Sequence, residues 1–302
     1  MKGAKLLTLT TITVVAGLSV CEALAAGSEA KEDRVLSNDF IAFDSGLKRG
    51  QWSPEKQAKL TKKLGYDGIV YKHPHNMQAR LEALDKYGVN FSGLHTSVNL
   101  DRDSIKYPEL EQAMEKLEGC GTIVWPVVTG SKAGDKKAVR IFQRMGRKAR
   151  ENGLKVAIYP HANTYVETTP QALRIAKKVD MDSVGVSFNL CHSLRAAQAG
   201  DINQILHEAA PFLFLVQISG ATRGGKKWAE ASWNHLIRPL DDNEFDLVGY
   251  LGTLVEIGYD GPICLMPFGI DLPPKTHMSR SMRAYKKLRR KVRGAWGSIE
   301  GD

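Results

Sequence analysis

The sequence predicts an α/β fold of the (β/α)8 barrel type, closed within a single domain. Three observations predict it. Eight short apolar or β-branched runs recur along the chain, and stretches with helical periodicity lie between most of them. No linker, low-complexity stretch or charge block divides the region that holds them. Strands that alternate with helices pair in parallel through right-handed crossovers, and a count of eight suggests closure. The length of 302 residues agrees, since such barrels take about 250 residues.

The eight runs are 40–44, 68–72, 90–97, 122–128, 155–160, 184–190, 212–219 and 262–267. Helical spacing marks 54–64, where Ala58, Leu60 and Leu64 share one side and lysines the other. It recurs at 81–87, 107–117, 138–152, 170–179, 201–208 and 245–257. Punctuation supports these boundaries. Ser53-Pro54-Glu55 and Thr169-Pro170 put proline at a helix start, where its missing N–H is harmless. Gly65, Gly88, Gly153 and Gly258 stand where helices should end. The competing architecture, an open doubly wound sheet, lacks its phosphate loop. Asp44-Ser45-Gly46-Leu47-Lys48-Arg49-Gly50 does not match G-x-G-x-x-G.

Composition narrows the function classes. With 43% hydrophobic and 25% charged residues, the chain is neither a disordered tail, a collagen-like fibre nor a disulfide scaffold. Lys and Arg number 42 against 33 Asp and Glu, a net charge of +9. That excess favours anionic partners without naming one.

The first 25 residues read as a secretory signal. Lys2 and Lys5 precede an uncharged run over 6–20, and Ala23-Leu24-Ala25 supplies the small-x-small cleavage pattern. Lipoprotein processing at Cys21 is the alternative, but Val20 is a poor fit to the small residue it needs. The run is too short for a comfortable membrane span. An exported protein is expected, periplasmic or extracellular, with one domain over 26–302. Cleavage at Ala25 removes Lys2, Lys5 and Glu22, a net +1, and leaves +8. Cys120, Cys191 and Cys264 remain. Three cysteines cannot all pair within one chain, and they read as packing residues. Cys191 and His192 are neighbours, but adjacent strand residues point to opposite faces, which argues against a Cys-His nucleophile.

In a barrel the chemistry sits at the C-terminal strand ends. Those ends carry Asp44, then Lys72, His73 and His75, then His95. Tyr159 and His161 follow, then Asn189 and His192, Gln217 and Ser219, and finally Met266. Five of the eight histidines fall here. Such clustering points to a polar pocket for a hydroxylated ligand.

The segments Val156-Ala-Ile-Tyr-Pro-His161 and Val184-Gly-Val-Ser-Phe-Asn-Leu-Cys-His192 carry a resemblance to a known family. So does the closing stretch from Ile237-Arg-Pro-Leu-Asp-Asp through Ile257-Gly-Tyr-Asp-Gly-Pro-Ile-Cys-Leu-Met-Pro-Phe268. They resemble the xylose-isomerase-like TIM barrels, a superfamily of sugar and sugar-phosphate isomerases and epimerases that includes the type IV apurinic endonucleases. The resemblance covers most of the chain and implies a carbohydrate or keto-sugar ligand. It also implies a divalent metal held by Glu, Asp, His and Glu at strands five to eight. Those places hold Tyr159, Asn189, Gln217 and Met266 here. Mg²⁺ and Mn²⁺ want anionic oxygen, so neutral replacements suit them poorly. His161 and His192 remain as candidates for Zn²⁺, with His95 or His75 as a third ligand. The expected catalytic groups are His161, His192 and Lys72: a histidine as general base, and cationic side chains for the developing oxyanion. Asp44, His95, Tyr159, Asn189, Gln217 and Trp228 are the expected substrate contacts. The alternative is a degenerate barrel that binds carbohydrate without turnover.

Tryptophans and basic stretches complete the reading. Trp228 and Trp233 lie after strand seven, where they could stack on sugar or pack the loop, whereas Trp52 and Trp125 read as packing residues. Basic side chains over 132–150 and 280–293 have helical spacing, and each stretch holds a single aromatic instead of the interleaved aromatics of a nucleic-acid surface, so nucleic acid is not an expected partner. The C-terminal basic helix could instead touch an anionic surface.

Overall fold

The computed structural model describes residues 36–102, 104–105, 109–130, 134–198 and 200–296. The expected secretory signal at 1–25 lies outside the described residues. The strands are β1 (Phe40–Phe43), β2 (Gly68–Lys72), β3 (Asn90–Asn99), β4 (Ser104–Ile105), β5 (Ile123–Thr129), β6 (Lys155–Ile158), β7 (Val184–Asn189), β8 (Leu213–Ile218) and β9 (Ile263–Leu265). All but β4 pair in parallel, in the order β2-β1-β9-β8-β7-β6-β5-β3. The β2–β3 pairing, with Gly68 beside Asn90, closes the ring. The result is a closed eight-stranded parallel TIM barrel. β4 is a two-residue antiparallel addition that pairs Ile105 with Val98; no apolar run foretold it.

The helices are α1 (Pro54–Leu64), α2 (Met77–Tyr87), α3 (Leu110–Lys116), α4 (Gly134–Glu151), α5 (Thr169–Val179), α6 (Leu190–Arg195), α7 (Ile202–Ala209), α8 (Trp233–Leu236), α9 (Leu247–Glu256) and α10 (Pro274–Trp296). Their ends follow local chemistry. Ser53 accepts the Lys56 N–H ahead of Pro54. Thr168 and Gln171 form a reciprocal capping box at α5. Gly65, at φ +82°, takes the left-handed conformation that ends α1 and returns its N–H to the Lys62 and Thr61 carbonyls.

Two sequence expectations are corrected here. The run 184–190 stops as a strand at Asn189, and Leu190 opens α6. Cys191 and His192 are therefore helical neighbours, not strand neighbours. The Cys191 thiol is buried, and burial pushes its pKa up to about 12, so it is no thiolate at neutral pH. Cys120 is exposed, whereas Cys191 and Cys264 are buried. Only two of the three are packing residues, because Cys120 falls in the loop before β5 instead of on a strand.

The barrel interior is sealed by an aromatic pair. Trp125, fully buried on β5, stacks on Tyr159 with ring centres 4.3 Å apart and planes 18° from parallel. Its indole N–H donates to Ser187 Oγ on β7 at 2.7 Å. Stacked rings with the indole satisfied suit a dry interior. They form the floor on which the functional mouth rests.

Candidate functional site

The mouth opens at the C-terminal strand ends as a cavity of about 780 Å³. Lys72, His95, Tyr159, His161 and His192 line it, as the strand-end reading expected of the pocket. Phe43, Arg49, Arg102, Trp233 and Phe268 line it as well. Phe268 comes from the loop after β9. Sequence reasoning missed Arg49 and Arg102. The segment before Gly50 was weighed only as a phosphate loop, so the arginine in it went unread. Arg102 belongs to a turn after an unexpectedly long β3.

The β6–β8 side is a closed hydrogen-bond chain. The Ala162 N–H donates to His192 Nδ1 at 3.3 Å. Nδ1 is therefore unprotonated, and Nε2 carries the hydrogen toward Tyr159 Oη, 3.3 Å away. The Tyr159 hydroxyl in turn donates to Gln217 Oε1 at 3.1 Å. Burial holds the His192 pKa well below the imidazole range, with the nearby His161 adding to the effect. It holds the Tyr159 phenol well above its usual range. Both groups are neutral, and both ring nitrogens of His192 are engaged. Asn189 donates to the Pro160 carbonyl at 3.0 Å.

Neither Asn189 nor Gln217 lines the cavity; their amides lie beneath it, about 1% exposed. Trp228 does not reach it either and packs edge-on against Phe245, 5.8 Å between ring centres. Trp233 lines the mouth in its place, 5.2 Å from the His192 ring.

His161 is placed differently. Its Nδ1–H donates to the Ala162 carbonyl at 2.9 Å, which leaves Nε2 as the basic nitrogen. The ring is half-buried at the cavity wall, 4.1 Å from that of His192. Burial lowers its pKa, the Ala162 bond opposes that, and Lys72 lowers it further. His161 is therefore a neutral base at pH 7. His95 is fully enclosed by aromatic neighbours, among them Tyr159 at 5.3 Å and Phe43 at 5.5 Å. Burial, then the Lys72 and Arg49 charges, hold it well below the usual range. Its Nδ1 has no hydrogen-bond partner.

The β1–β2 side is charged. Asp44, fully buried at the start of a 3-10 turn, binds Arg49 Nε at 2.6 Å. It also accepts the Lys72 N–H at 3.1 Å. Burial raises its pKa, while Arg49 and the Lys72 N–H pull it down. Asp44 does not line the cavity. It holds Arg49 and the end of β2, which do. His73 follows Lys72 at φ +77°, a left-handed conformation rare for a residue with a large side chain. Arg80 secures it, donating to the His73 carbonyl at 2.6 Å. The structure thus stores backbone strain beside the pocket.

No three His, Cys, Asp or Glu side chains converge as metal ligands among the described residues. No helix among them is long and apolar enough to cross a membrane.

Residues 58–288 match the family described as xylose isomerase-like TIM barrel. Among solved structures, the chain resembles a fusion of a xylose isomerase-like TIM barrel with 4-hydroxyphenylpyruvate dioxygenase. Identity is 18% and the TM-score 0.64, over 86% of this chain and 44% of that one, so the chain spans less than half of the fusion's length. An IOLI protein with a bound zinc atom matches at 19% identity and TM-score 0.69, over 84% and 99% of the two chains. D-allulose 3-epimerase from Methylomonas sp., in complex with D-allulose, matches at 15% and 0.65, over 83% and 97%. At such identities the likeness speaks for the fold. No curated protein matches the sequence. The family match over most of the chain, on a closed barrel with a polar mouth at its strand ends, makes this protein a member of the xylose isomerase-like TIM barrel family of sugar isomerases and epimerases.

Proposed function

We propose that the protein is an exported sugar isomerase or epimerase, with its domain over 26–302. It would move a proton beside the carbonyl of a carbohydrate or keto-sugar without a divalent metal at β6–β9. The observation that carries this reading is the pairing at the cavity wall of a neutral, oriented imidazole, His161, with the cation Lys72. His161 Nε2 takes the proton from the carbon next to the carbonyl, and the C–H electrons move into the enolate. The Lys72 ammonium balances the charge on the enolate oxygen. Return of the proton to the former carbonyl carbon, while the adjacent hydroxyl proton passes to the enolate oxygen, gives isomerisation; delivery of a proton from water to the opposite face of the same carbon, with His161 giving its own proton to solvent, gives epimerisation. His192, with both nitrogens engaged, acts as a positioning residue through Tyr159.

The donor set supports metal-free chemistry. At the places where the family resemblance puts Glu, Asp, His and Glu, Tyr159 and Gln217 are bonded to each other, Asn189 is buried, and Met266 offers a thioether. These groups do not fit Mg²⁺, Mn²⁺ or Zn²⁺. His161 and His192 lack a third ligand among the described residues. The secretory pattern at 1–25 supports export. The outward residues Lys286, Lys287, Arg290 and Lys291 of α10 are exposed and would suit an anionic surface.

Deuterium wash-in tests the reading. Chelator-treated protein and a keto-sugar panel in D₂O should show exchange at the carbon next to the carbonyl, lost in His161→Gln. Exchange that disappears with the chelator and returns with metal would sink the metal-free mechanism. Tight sugar binding with no exchange would establish the second reading, a barrel that binds without turnover. That reading is favoured by the absence of a carboxylate from the four strand ends, which hold Tyr159, Asn189, Gln217 and Met266.

A further inference from the structure

The residues around the cavity are unequal in charge. Among the described residues, Arg49, Lys72 and Arg102 line it and no aspartate or glutamate does. Asp44, fully buried behind Arg49, accepts from its Nε. The Arg49 guanidinium carbon stands 5.1 Å from the centre of the Phe43 ring, which steadies it. Neutral sugars are usually held by carboxylates and amides that accept from their hydroxyls, because an ionised carboxylate is acceptor-only. A wall with three cations and no acid offers donors instead. The Lys72 and Arg49 charges reach the interior as well, since both push the His95 ring further toward its neutral form.

We infer that the ligand is an anionic sugar, with its carboxylate or phosphate seated against Arg49 and Arg102 while its carbonyl end faces Lys72 and His161. The inference rests on the proposed reading of the site as a sugar isomerase or epimerase and names the class of sugar. Arg49 is preorganised for this task. One edge of its fork is occupied by Asp44 at 2.6 Å, and the remaining edge presents parallel N–H groups that match two oxygens of a carboxylate or phosphate. Asp44 is then a positioning residue for anion recognition, which explains a buried charged pair at the rim of a barrel. Lys72 adds to the burial that holds His161 in its neutral form.

Calorimetric titration of the full chain with matched ligands tests this. The set is a neutral ketose, the same carbon skeleton carrying a terminal carboxylate, and the same ketose carrying a terminal phosphate. Either anionic member is expected to bind at least about tenfold tighter than the neutral sugar at low salt, equivalent to about 1.4 kcal/mol. Whichever of the two is preferred identifies the source of the charge. Raising the salt should erode that preference and leave neutral-sugar binding unchanged. Arg102→Gln, at an exposed position, should reduce the preference several-fold. Arg49→Gln should abolish it, read only in preparations that melt at the wild-type temperature. Equal affinity for the neutral and anionic sugars would overturn the inference and leave the sugar reading standing. Tight binding of free inorganic phosphate or acetate, with no gain from the sugar, would uphold the anion seat and sink the sugar reading. No binding by any of the three sugars would overturn both.

Discussion

The two sides of the barrel mouth are built on opposite principles. On the β6–β8 side, Trp125, Tyr159, His192 and Gln217 are neutral, buried and bonded in sequence. On the β1–β3 side, Arg49, Lys72 and Arg102 face an open cavity, and Asp44, which holds Arg49, is hidden. One side is neutral and packed; the other exposes its charge to the cavity. Buried polar groups are mostly bonded, although Gln217 Nε2 and Asn189 Oδ1 on the packed side have no partner. His161 stands at the border, with one nitrogen tied to the backbone and one free to act as a base.

Four changes would break or sharpen this contrast. The largest effect is expected at the border. His161→Gln should lower kcat by about 10²- to 10⁴-fold, the usual contribution of a general base, with the thermal midpoint little changed. A variant that retains full turnover would move the base elsewhere. On the packed side, Trp125→Ala should cost about 3–5 kcal/mol in a urea titration, from lost burial and the cavity left behind. A loss under about 1 kcal/mol would mean that this floor is not a packed core.

Acid should act through the enclosed histidines. His95 and His192 have folded pKa values well below the unfolded value, because burial disfavours the imidazolium. The unfolded chain therefore binds more protons as pH falls below about 6.5. Their contribution to stability is complete above that pH and is lost as pH drops through it. Asp44 has the opposite sign: burial raises its carboxyl pKa, so its protonation favours the fold as pH falls and works against the histidines. Thermal midpoints should hold between pH 8 and 7 and fall from about pH 6.5 to 5. A flat profile over that range would contradict the neutral, enclosed state of both rings. The smallest effect belongs to neither side. Arg144→Gln breaks an exposed pair with Glu111 on the outer surface and should change stability by no more than about 0.5 kcal/mol, measured by the same urea titration.

Different parts of the molecule were legible to different degrees. The barrel was readable because each strand buries both faces and so reads as a continuous apolar run, as Val184–Asn189 does. Pro54 and Pro170 mark starts that the helices use, since proline's lost N–H is tolerated only there. Position along a strand was enough to bring Lys72, His95, Tyr159 and His161 to one cavity. It was not enough for Asn189 and Gln217, which sit a fraction of a turn deeper and face the floor. Nor could it distinguish Trp228 from Trp233, because an irregular loop has no period from which to infer a direction. Arg49 was invisible for a related reason: its meaning depends on Asp44, and that pairing is made by a 3-10 turn.

The sequence by itself determined the alternation of strands and helices, their caps and the neutral side chains Tyr159, Asn189, Gln217 and Met266 at four strand ends, since these follow from local spacing and residue type. Tertiary structure decided which nitrogen of each histidine is free, which polar groups become floor and which cations become wall. Several of those outcomes depend on neighbours from distant parts of the chain, and parallel pairing of β6, β7 and β8 puts Tyr159, His192 and Gln217 within hydrogen-bonding distance.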